Sequence, residues 1–126
     1  MCLPRNLVAN FFMLTFYIAA AWDNRAIAKN ICDQLEANGL QCTMKWWTHE
    51  DPTQSREYCM KDVKGVIDAD IFILYYDKTS NSSGHRIELG IAIGRGKPCC
   101  ILNDPLTTVF KHTTMHVSID DLLTLH

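Results

Sequence analysis

The sequence predicts a doubly wound α/β fold with a mostly parallel sheet. Three observations support this prediction: apolar runs of strand length alternate with segments of helical periodicity, polar loops separate them, and two of the runs are apolar on both faces. A strand covered by helices on both sides is expected to be continuously apolar. Since single helices separate the strands, right-handed βαβ connections are expected.

The composition suits one compact domain that binds a small ligand. The chain has 126 residues, of which 48% are hydrophobic and 21% are charged. The formal net charge is -2 and no basic stripe with interleaved aromatic residues is present, which argues against a nucleic-acid partner. The six cysteines show no metal or redox spacing. We therefore expect reduced thiols in a cytoplasmic protein.

The N-terminal stretch admits two interpretations. Residues 7–22 follow Arg5 and include a run of small residues, as a signal peptide does. The stretch is short for a membrane span, which needs about 20 apolar residues, so we expect no membrane association. We prefer the interpretation of "MLTFYIAAA" as the first, central strand. Residues 1–12 are then a poorly ordered or accessory extension, and residues 13–126 form the α/β domain.

The first half of the domain contains two predicted helices and a second strand. "NRAIAKNICDQLEANG" has helical periodicity, with Asp23 as the predicted N-cap and Asn38-Gly39 as the stop signal. "LQCTMKWW" predicts the second strand, and "THEDPTQ" predicts a polar loop. "SREYCMKDVKGVIDA" predicts the second helix.

The second half continues the alternation of strands and helices. "DIFILYY" predicts the third strand, "HRIELGIAIGRG" the third helix and "KPCCIL" the fourth strand. The tail holds a short helix or loop, a weak strand near "MHVSI" and the final segment "DDLLTLH". We expect a flavodoxin-like strand order of 2-1-3-4-5. In that order, strands one and three flank the crevice where ligands bind.

A single acid, Glu88, is predicted to lie in this crevice, in the first turn of the third helix. A carboxylate near a helix start gains about 0.3 to 1 kcal/mol from the macrodipole and needs no function. However, its neighbours in "RIELGIA" are largely apolar, and burial without a purpose is costly for a charge. Glu88 is therefore a candidate nucleophile or base.

Three blocks of the sequence, "FYIAAAW", "KDVKGVIDADIFILYYD" and "SSGHRIELGIAIGRGKPCCIL", carry a family resemblance. In order and spacing they resemble the nucleoside 2-deoxyribosyltransferase superfamily, which also contains the 2'-deoxynucleoside 5'-monophosphate N-hydrolases. The resemblance spans Thr15 to Asn103. It implies a doubly wound α/β enzyme that cleaves or exchanges the N-glycosidic bond of 2'-deoxynucleosides or their 5'-monophosphates.

The same resemblance implies three catalytic residues. Glu88 matches the nucleophilic glutamate, Asp62 the base-side aspartate, and Tyr17 the tyrosine that orients the glutamate. Attack of a carboxylate at C1' would form a covalent glycosyl-enzyme and divide one displacement into two steps. A neighbouring acid would deliver a proton to the departing base. On residue pattern alone, Tyr17 is better interpreted as a core aromatic residue and Asp62 as a solvated helix acid.

The loop before Glu88 differs from that of the transferases in this superfamily. Ser82 stands where those transferases carry an acid that holds the sugar hydroxyls, and here the chain resembles the monophosphate N-hydrolases. Ser82, Ser83 and Gly84, with His85 and Arg86 nearby, would accept a 5'-phosphate through charge-assisted hydrogen bonds. Taken alone, the same loop is an ordinary polar turn.

Four further residues at strand ends are candidate substrate contacts. Trp22 follows the first strand and offers a flat aromatic face to a base. Asp77 closes the third strand, either as a polar contact or as a turn residue. Asn103 and Thr107 follow the fourth strand, a region from which relatives often complete a neighbour's pocket. The resemblance therefore implies a homodimer or a higher homo-oligomer.

We expect no metal and no cofactor. His112 and His116 have the separation of a helical metal pair, but the segment "KHTTMH" is rich in β-branched residues. It also lacks the third ligand that a zinc site requires.

Two other function classes stay open from the sequence. A TIR-like NAD-cleaving enzyme also combines a flavodoxin-like sheet with a glutamate on a helix. A non-catalytic nucleotide-binding module would keep the crevice without turnover. The missing loop acid and the "AAAW" turn, in which Ala20 replaces a family glycine, favour this second alternative.

Overall fold

The computed structural model describes residues 14–50, 56–80, 83–103, 115–116 and 119–124. Its strands are β1 (Thr15–Ala19), β2 (Gln41–Cys42), β3 (Ile71–Tyr75), β4 (Cys99–Leu102) and β5 (Met115–His116). They form one sheet in the order β2-β1-β3-β4-β5, and each neighbouring pair is parallel. The predicted fold class and strand order are confirmed.

Helices cover both faces of this sheet. They are α1 (Arg25–Ala37), α2 (Arg56–Asp68), α3 (Gly84–Gly94) and α4 (Ile119–Leu123). Helix α2 packs against α3, and helix α1 packs against α4. This pairing puts α2 and α3 on one face of the sheet and α1 and α4 on the other, as right-handed connections predict. Within the described residues, no helix combines the length and the apolar character needed to cross a membrane.

The interior strand β1 is buried on both faces, as its continuous apolar sequence predicts. Phe16, Tyr17, Ile18 and Ala19 have no exposed surface. Successive side chains of a strand point to opposite faces. Tyr17 points toward the side of α2 and α3, since Gly65 of α2 lies against its ring. Tyr17 pairs with Phe72 of β3, and their rings stack with centroids 6.1 Å apart. The predicted extension, residues 1–12, lies outside the described residues.

The predicted start of α1 is wrong by one position. A 3₁₀ turn formed by Trp22–Asn24 follows β1, and Asn24 rather than Asp23 occupies the N-cap position of α1. Asp23 lies inside the turn, where it is exposed. This turn carries the chain across the carboxyl end of the sheet before the helix begins.

Strand β2 is shorter than the predicted "LQCTMKWW". Only Gln41 and Cys42 pair with β1, and the chain then leaves the sheet. Trp46 lies in a second 3₁₀ turn, and its indole Nε1 donates a hydrogen bond of 2.6 Å to the carbonyl oxygen of Ile18. The indole therefore satisfies a backbone acceptor that a longer β2 would have bonded.

Helix α2 approaches β1 closely at Gly65. A Cβ atom at Gly65 would lie 2.7 Å from Met44 Cβ and 3.0 Å from Tyr17 Cδ2. Thr43 Oγ1 donates a hydrogen bond of 2.7 Å to the Gly65 carbonyl oxygen and anchors the helix there. Asp62 stands at i-3 from Gly65 on the same helix face, so this contact also sets the position of Asp62.

The five cysteines among the described residues are free: Cys32, Cys42, Cys59, Cys99 and Cys100. The two in β4 are buried apolar residues of the sheet. Burial raises the pKa of the Cys99 thiol to about 11 and that of the Cys100 thiol to about 12. Both thiols therefore stay protonated and unreactive near neutral pH.

Candidate active site

Tyr17 and Glu88 form the centre of the candidate site. Tyr17 Oη donates a hydrogen bond of 2.7 Å to Glu88 Oε2. The tyrosine is fully buried in β1, and the glutamate is half-buried on α3. Glu88 is the fifth residue of α3 and begins its second turn, so the predicted position in the first turn is wrong. The macrodipole therefore acts on Glu88 less strongly than expected, since its effect falls off beyond the first turn.

The surroundings of Glu88 favour its protonated form. Burial raises the pKa of Glu88 to about 8, the hydrogen bond from Tyr17 opposes this rise, and the negative charge of Asp62 adds to it. Burial and the charges of Glu88 and Asp62 raise the pKa of Tyr17 above its ordinary value, so the phenol remains a proton donor to Glu88. Carboxyl groups that titrate near neutral pH are typical of catalytic sites.

Asp62 lies on α2 and pairs with a residue that the sequence analysis missed. Asp62 Oδ1 and His49 Nε2 are 2.9 Å apart. Burial raises the pKa of Asp62, and the hydrogen bond and charge of His49 lower it. His49 is 8% exposed and belongs to the segment that follows β2. The only sequence feature that points to His49 is its place after the carboxyl end of a strand, where ligands bind in such sheets.

The structure brings the three predicted catalytic residues together from separate elements. Tyr17 comes from β1, Asp62 from α2 and Glu88 from α3. Tyr17 bonds Glu88 directly, and the charge of Asp62 acts on both of them. Two carboxyl groups in one partly buried site disfavour double ionisation and tend to share a proton. One group is then available as a nucleophile and the other as an acid.

Aromatic residues gather where β1 ends. Trp22 is half-buried, and its ring centroid lies 6.1 Å from that of the buried Trp46. The Arg25 guanidinium carbon lies 4.6 Å from the Trp22 ring centroid. Trp47 meets the Trp46 ring edge-on at 5.5 Å. Trp46 is thus part of the core, and Trp22 is the more exposed aromatic face at the carboxyl end of β1.

Asp77 joins the ends of the two strands that flank the crevice. Asp77 Oδ2 accepts a 2.9 Å hydrogen bond from Asn24 Nδ2, in the turn after β1. Asp77 Oδ1 accepts hydrogen bonds from the Thr79 backbone N–H and hydroxyl at 2.9 and 2.6 Å. The bond from Asn24 and those from Thr79 lower the pKa of Asp77. Asp77 therefore serves as a turn residue that also ties β3 to the β1 turn.

The remaining predicted substrate contacts lie at the same edge of the sheet or outside the described residues. Ser83 occupies the N-cap position of α3 and Gly84 its first position, and both are exposed. Asn103 follows β4 with a φ of 80°, and its Nδ2 donates a 2.9 Å hydrogen bond to the Tyr76 carbonyl oxygen. Ser82 and Thr107 lie outside the described residues.

His85 and Arg86 are neighbours in the sequence but differ in the exposure of their side chains. The His85 side chain is 1% exposed, and neither ring nitrogen has a hydrogen-bond partner in the part of the chain that the structure describes. Burial lowers the pKa of His85. Arg86 is exposed, with its guanidinium carbon 5.9 Å from the Tyr76 ring centroid. Of the two basic residues expected near a phosphate, only Arg86 is at the surface.

One group of candidate metal ligands occurs among the described residues. Ligand atoms of Cys32, Asp33 and Glu36 lie within 4.8 Å of one another on α1. Asp33 pairs with Lys29 and Glu36 with Lys45, each at 2.8 Å, so cations already balance both carboxylates. Of the two histidines that have the spacing of a metal pair, His112 lies outside the described residues.

The fold and the site together define a class of doubly wound α/β domains with a carboxylate site at the carboxyl edge of the sheet. Within this class, the chain belongs to the nucleoside 2-deoxyribosyltransferase family, whose model matches residues 16–120. Membership supports a glycosyl-transferring or N-glycosidic activity on a small nucleoside or nucleotide.

Two solved structures share the fold. A CMP N-glycosidase from Clostridium botulinum, BcmB, is 18% identical, with a TM-score of 0.61 over 86% of this chain and 93% of that one. A 2-deoxyribosyltransferase from Bacillus psychrosaccharolyticus is 16% identical, with a TM-score of 0.63 over 87% of this chain and 90% of that one. No curated protein sequence matches the chain.

Proposed function

We propose that this protein cleaves or exchanges the N-glycosidic bond of 2'-deoxynucleosides or their 5'-monophosphates, with Glu88 as the nucleophile. The observation that carries this proposal is the 2.7 Å hydrogen bond from Tyr17 Oη to Glu88 Oε2, within electrostatic reach of Asp62. Family membership supports the reaction class. The geometry supports the roles of the individual residues.

The first step forms a covalent intermediate. Tyr17 donates its hydrogen bond to Glu88 Oε2. The other carboxyl oxygen, Oε1, is therefore available to attack C1' of the sugar. The C1'–N bond breaks, its electron pair goes to the base nitrogen, and Asp62 delivers the proton that neutralises the base. A deoxyribosyl ester of Glu88 remains, formed through an oxocarbenium-like transition state.

The second step releases the sugar and restores both carboxyl groups. Water or an acceptor base attacks C1' from the face that the first base left, and Glu88 departs as a carboxylate. Asp62, now ionised, takes the proton from the incoming nucleophile. Attack by water gives hydrolysis, and attack by a base gives exchange.

A single proton shared by Glu88 and Asp62 makes the role of Glu88 as nucleophile compatible with the role of Asp62 as proton donor. Nucleophilic attack requires an ionised Glu88, although its pKa is raised to about 8. Part of that rise comes from the negative charge of Asp62, so a proton on Asp62 favours ionisation of Glu88. The active form therefore carries the proton on Asp62.

We propose that 5'-monophosphates are the preferred substrates. Ser83 and Gly84 expose the start of α3, where backbone N–H groups favour an anion. The exposed Arg86 lies one turn away, and Arg25 lies after the carboxyl end of β1, over the Trp22 ring. Ser82 brings no charge that would repel a phosphate.

We also propose that the protein is a homo-oligomer. Met60 on α2 and Ile87 on α3 are 55% and 63% exposed, and these helices pack side by side on one face of the sheet. Contiguous exposed apolar patches mark interaction surfaces, and we propose that these two side chains belong to one. Light scattering of the purified chain should give at least twice the monomer mass. A monomer at micromolar concentration would contradict this proposal.

A substrate panel tests the proposed reaction. The protein is incubated with dCMP, dGMP, thymidine and deoxyadenosine, with and without a free acceptor base, and free or exchanged base is measured by chromatography. We expect turnover by the wild type and by Glu57→Gln, a control at an exposed glutamate of α2. We expect none by Glu88→Gln.

The other outcomes of the panel separate the alternative functions. Free base without exchange identifies a hydrolase, and exchange that depends on the acceptor identifies a transferase. Release of nicotinamide from NAD without action on the panel would support the NAD-cleaving alternative. Binding without turnover would support the nucleotide-binding module.

A further inference from the structure

We propose that His49 is a positioning residue for Asp62: it holds one oxygen of the carboxyl group and thereby directs the other oxygen to the departing base. The inference rests on the proposed role of Asp62 as the proton donor. It adds a residue that neither the sequence pattern nor the family resemblance assigned.

The hydrogen bond defines which oxygen is held. His49 Nε2 lies 2.9 Å from Asp62 Oδ1. Among residues 14–50, 56–80 and 83–103, no second hydrogen-bond partner of the Asp62 carboxyl is present. Oδ2 is therefore the oxygen left for the proton that passes to the base. A neutral imidazole with its hydrogen on Nε2 would donate this bond, as would an imidazolium.

The imidazole is held in place by more than this bond. Its ring stacks on Tyr58 with centroids 4.1 Å apart and an interplanar angle of 15°. Tyr58 and Asp62 stand at i and i+4 on α2, so they share one face of the helix. The His49 backbone N–H also donates a 3.1 Å hydrogen bond to the Trp46 carbonyl oxygen. The ring stack and the backbone bond limit the movement of His49, so its imidazole can fix the carboxyl group that it bonds.

His49 is also suited to make Asp62 a better acid. The titratable groups around Asp62 are His49 beside it, Tyr17 from β1 and Glu88 from α3, with Tyr58 behind the imidazole. Of these, His49 is the group whose ring nitrogen lies within hydrogen-bond distance of the Asp62 carboxyl. A donor to the carboxylate stabilises the form that remains after proton transfer, so it lowers the barrier to departure of the base.

Removal of the imidazole should therefore affect catalysis more than binding. We expect His49→Leu to lower kcat by about 10- to 100-fold on the substrate that the panel identifies, with little change in KM. His49→Gln should restore part of the loss, because its amide nitrogen can replace Nε2 as the donor. Without the donor the pKa of Asp62 rises, so the pH-rate profile should move to higher pH.

The decisive readout is a substrate whose base leaves without a proton. The N7-methylated purine analogue carries its positive charge before cleavage, so its departure does not depend on Asp62. In the first step, followed as the pre-steady-state burst of free base, His49→Leu and Asp62→Asn should both be impaired on the unmethylated purine nucleotide and near wild type on the methylated one. Their effects should also fail to add in the double variant. Glu50→Gln, at the exposed neighbour of His49, is the matched control.

Three outcomes overturn the inference. These are an unchanged kcat in His49→Leu, an equal loss of the first-step rate on both purine substrates, and a loss that only follows a fall in melting temperature. Failure of the proposed function looks different: the wild type would then cleave neither substrate. An active wild type with an indifferent His49 would refute only the positioning role.

Discussion

Tyr17 and Glu88 are 71 residues apart in the chain, yet Tyr17 Oη and Glu88 Oε2 lie 2.7 Å apart. The phenol comes from β1 and the carboxyl group from α3, the helix that follows the neighbouring strand β3. Parallel pairing of β1 with β3 therefore sets the distance between them.

Tyr17→Phe should shift the pH dependence of the reaction. The lost hydrogen bond lowers the pKa of Glu88 in the wild type, so without it that pKa should rise above about 8. We expect turnover near pH 6.5 to fall about 10- to 100-fold, with partial recovery as the pH rises. Steady-state rates measured across the pH range check this. A profile identical to that of the wild type would show that the phenol does not tune Glu88.

Glu88→Gln should stabilise the fold, and more so at high pH. The folded pKa of Glu88 is about 8, above the reference value of 4.5. Its contribution to stability is complete below pH 4.5 and is lost as the pH rises toward 8, because only the unfolded state ionises freely. The neutral amide avoids that loss. We expect a gain over the wild type of about 1 to 3 kcal/mol at pH 8 and little at pH 4.5.

Urea unfolding at several pH values measures this gain. Glu57→Gln is the control, because its side chain is exposed and should give no gain that depends on pH. A gain of equal size at both pH values would indicate that Glu88 is not perturbed in the folded state.

Gly65→Ala should damage both packing and activity. The added Cβ would lie 2.7 Å from Met44 Cβ and 3.0 Å from Tyr17 Cδ2, so α2 or Tyr17 must move. We expect a loss of about 1 to 3 kcal/mol in the free energy of unfolding, with a fall in kcat because Tyr17 is displaced. Gly90→Ala on α3 is the matched control, since its Cβ would meet nothing within 4 Å. It should be neutral or stabilising by up to about 1 kcal/mol.

His85→Leu should stabilise the protein, especially in mild acid. Burial lowers the pKa of His85 below its ordinary value of 6.5. The residue is neutral in both states above pH 6.5, and below it the unfolded state takes up a proton that the folded state resists. Wild-type stability should therefore fall as the pH drops below 6.5, and the leucine variant should lose this component.

The same substitution removes two buried nitrogens that have no partner among the described residues. We expect a gain of about 1 to 3 kcal/mol at neutral pH. Thermal unfolding at pH 5.5 and 7.5 provides the measurement. A variant less stable than the wild type at both values would show that the imidazole makes an essential contact.

Much of the fold is predictable from local sequence. The strands β1, β3 and β4 are buried on both faces, so their apolar runs are unbroken and easy to find. The predicted β2 is too long because the indole of Trp46 bonds the Ile18 carbonyl oxygen in place of a strand. This hydrogen bond joins residues that are distant in the chain, so it cannot be recognised from the local sequence pattern.

The site is predictable only in part. Glu88 could be placed at the crevice from the order of strands and helices, whereas the roles of Tyr17 and Asp62 came from the family resemblance. His49 was missed because its bond to Asp62 joins a loop to a helix without any periodic spacing. The burial of His85 was missed because both basic residues after the loop, His85 and Arg86, were expected near a phosphate, whereas the His85 side chain points into the core.

The most direct test of the account is peptide mass analysis of the protein quenched in acid during turnover. The account predicts one deoxyribosyl group, with its phosphate if the substrate has one, on the peptide that contains Glu88. Glu88→Gln should neither carry this group nor release base. Turnover that continues in Glu88→Gln, or an adduct on another residue, would contradict the assignment of Glu88 as the nucleophile.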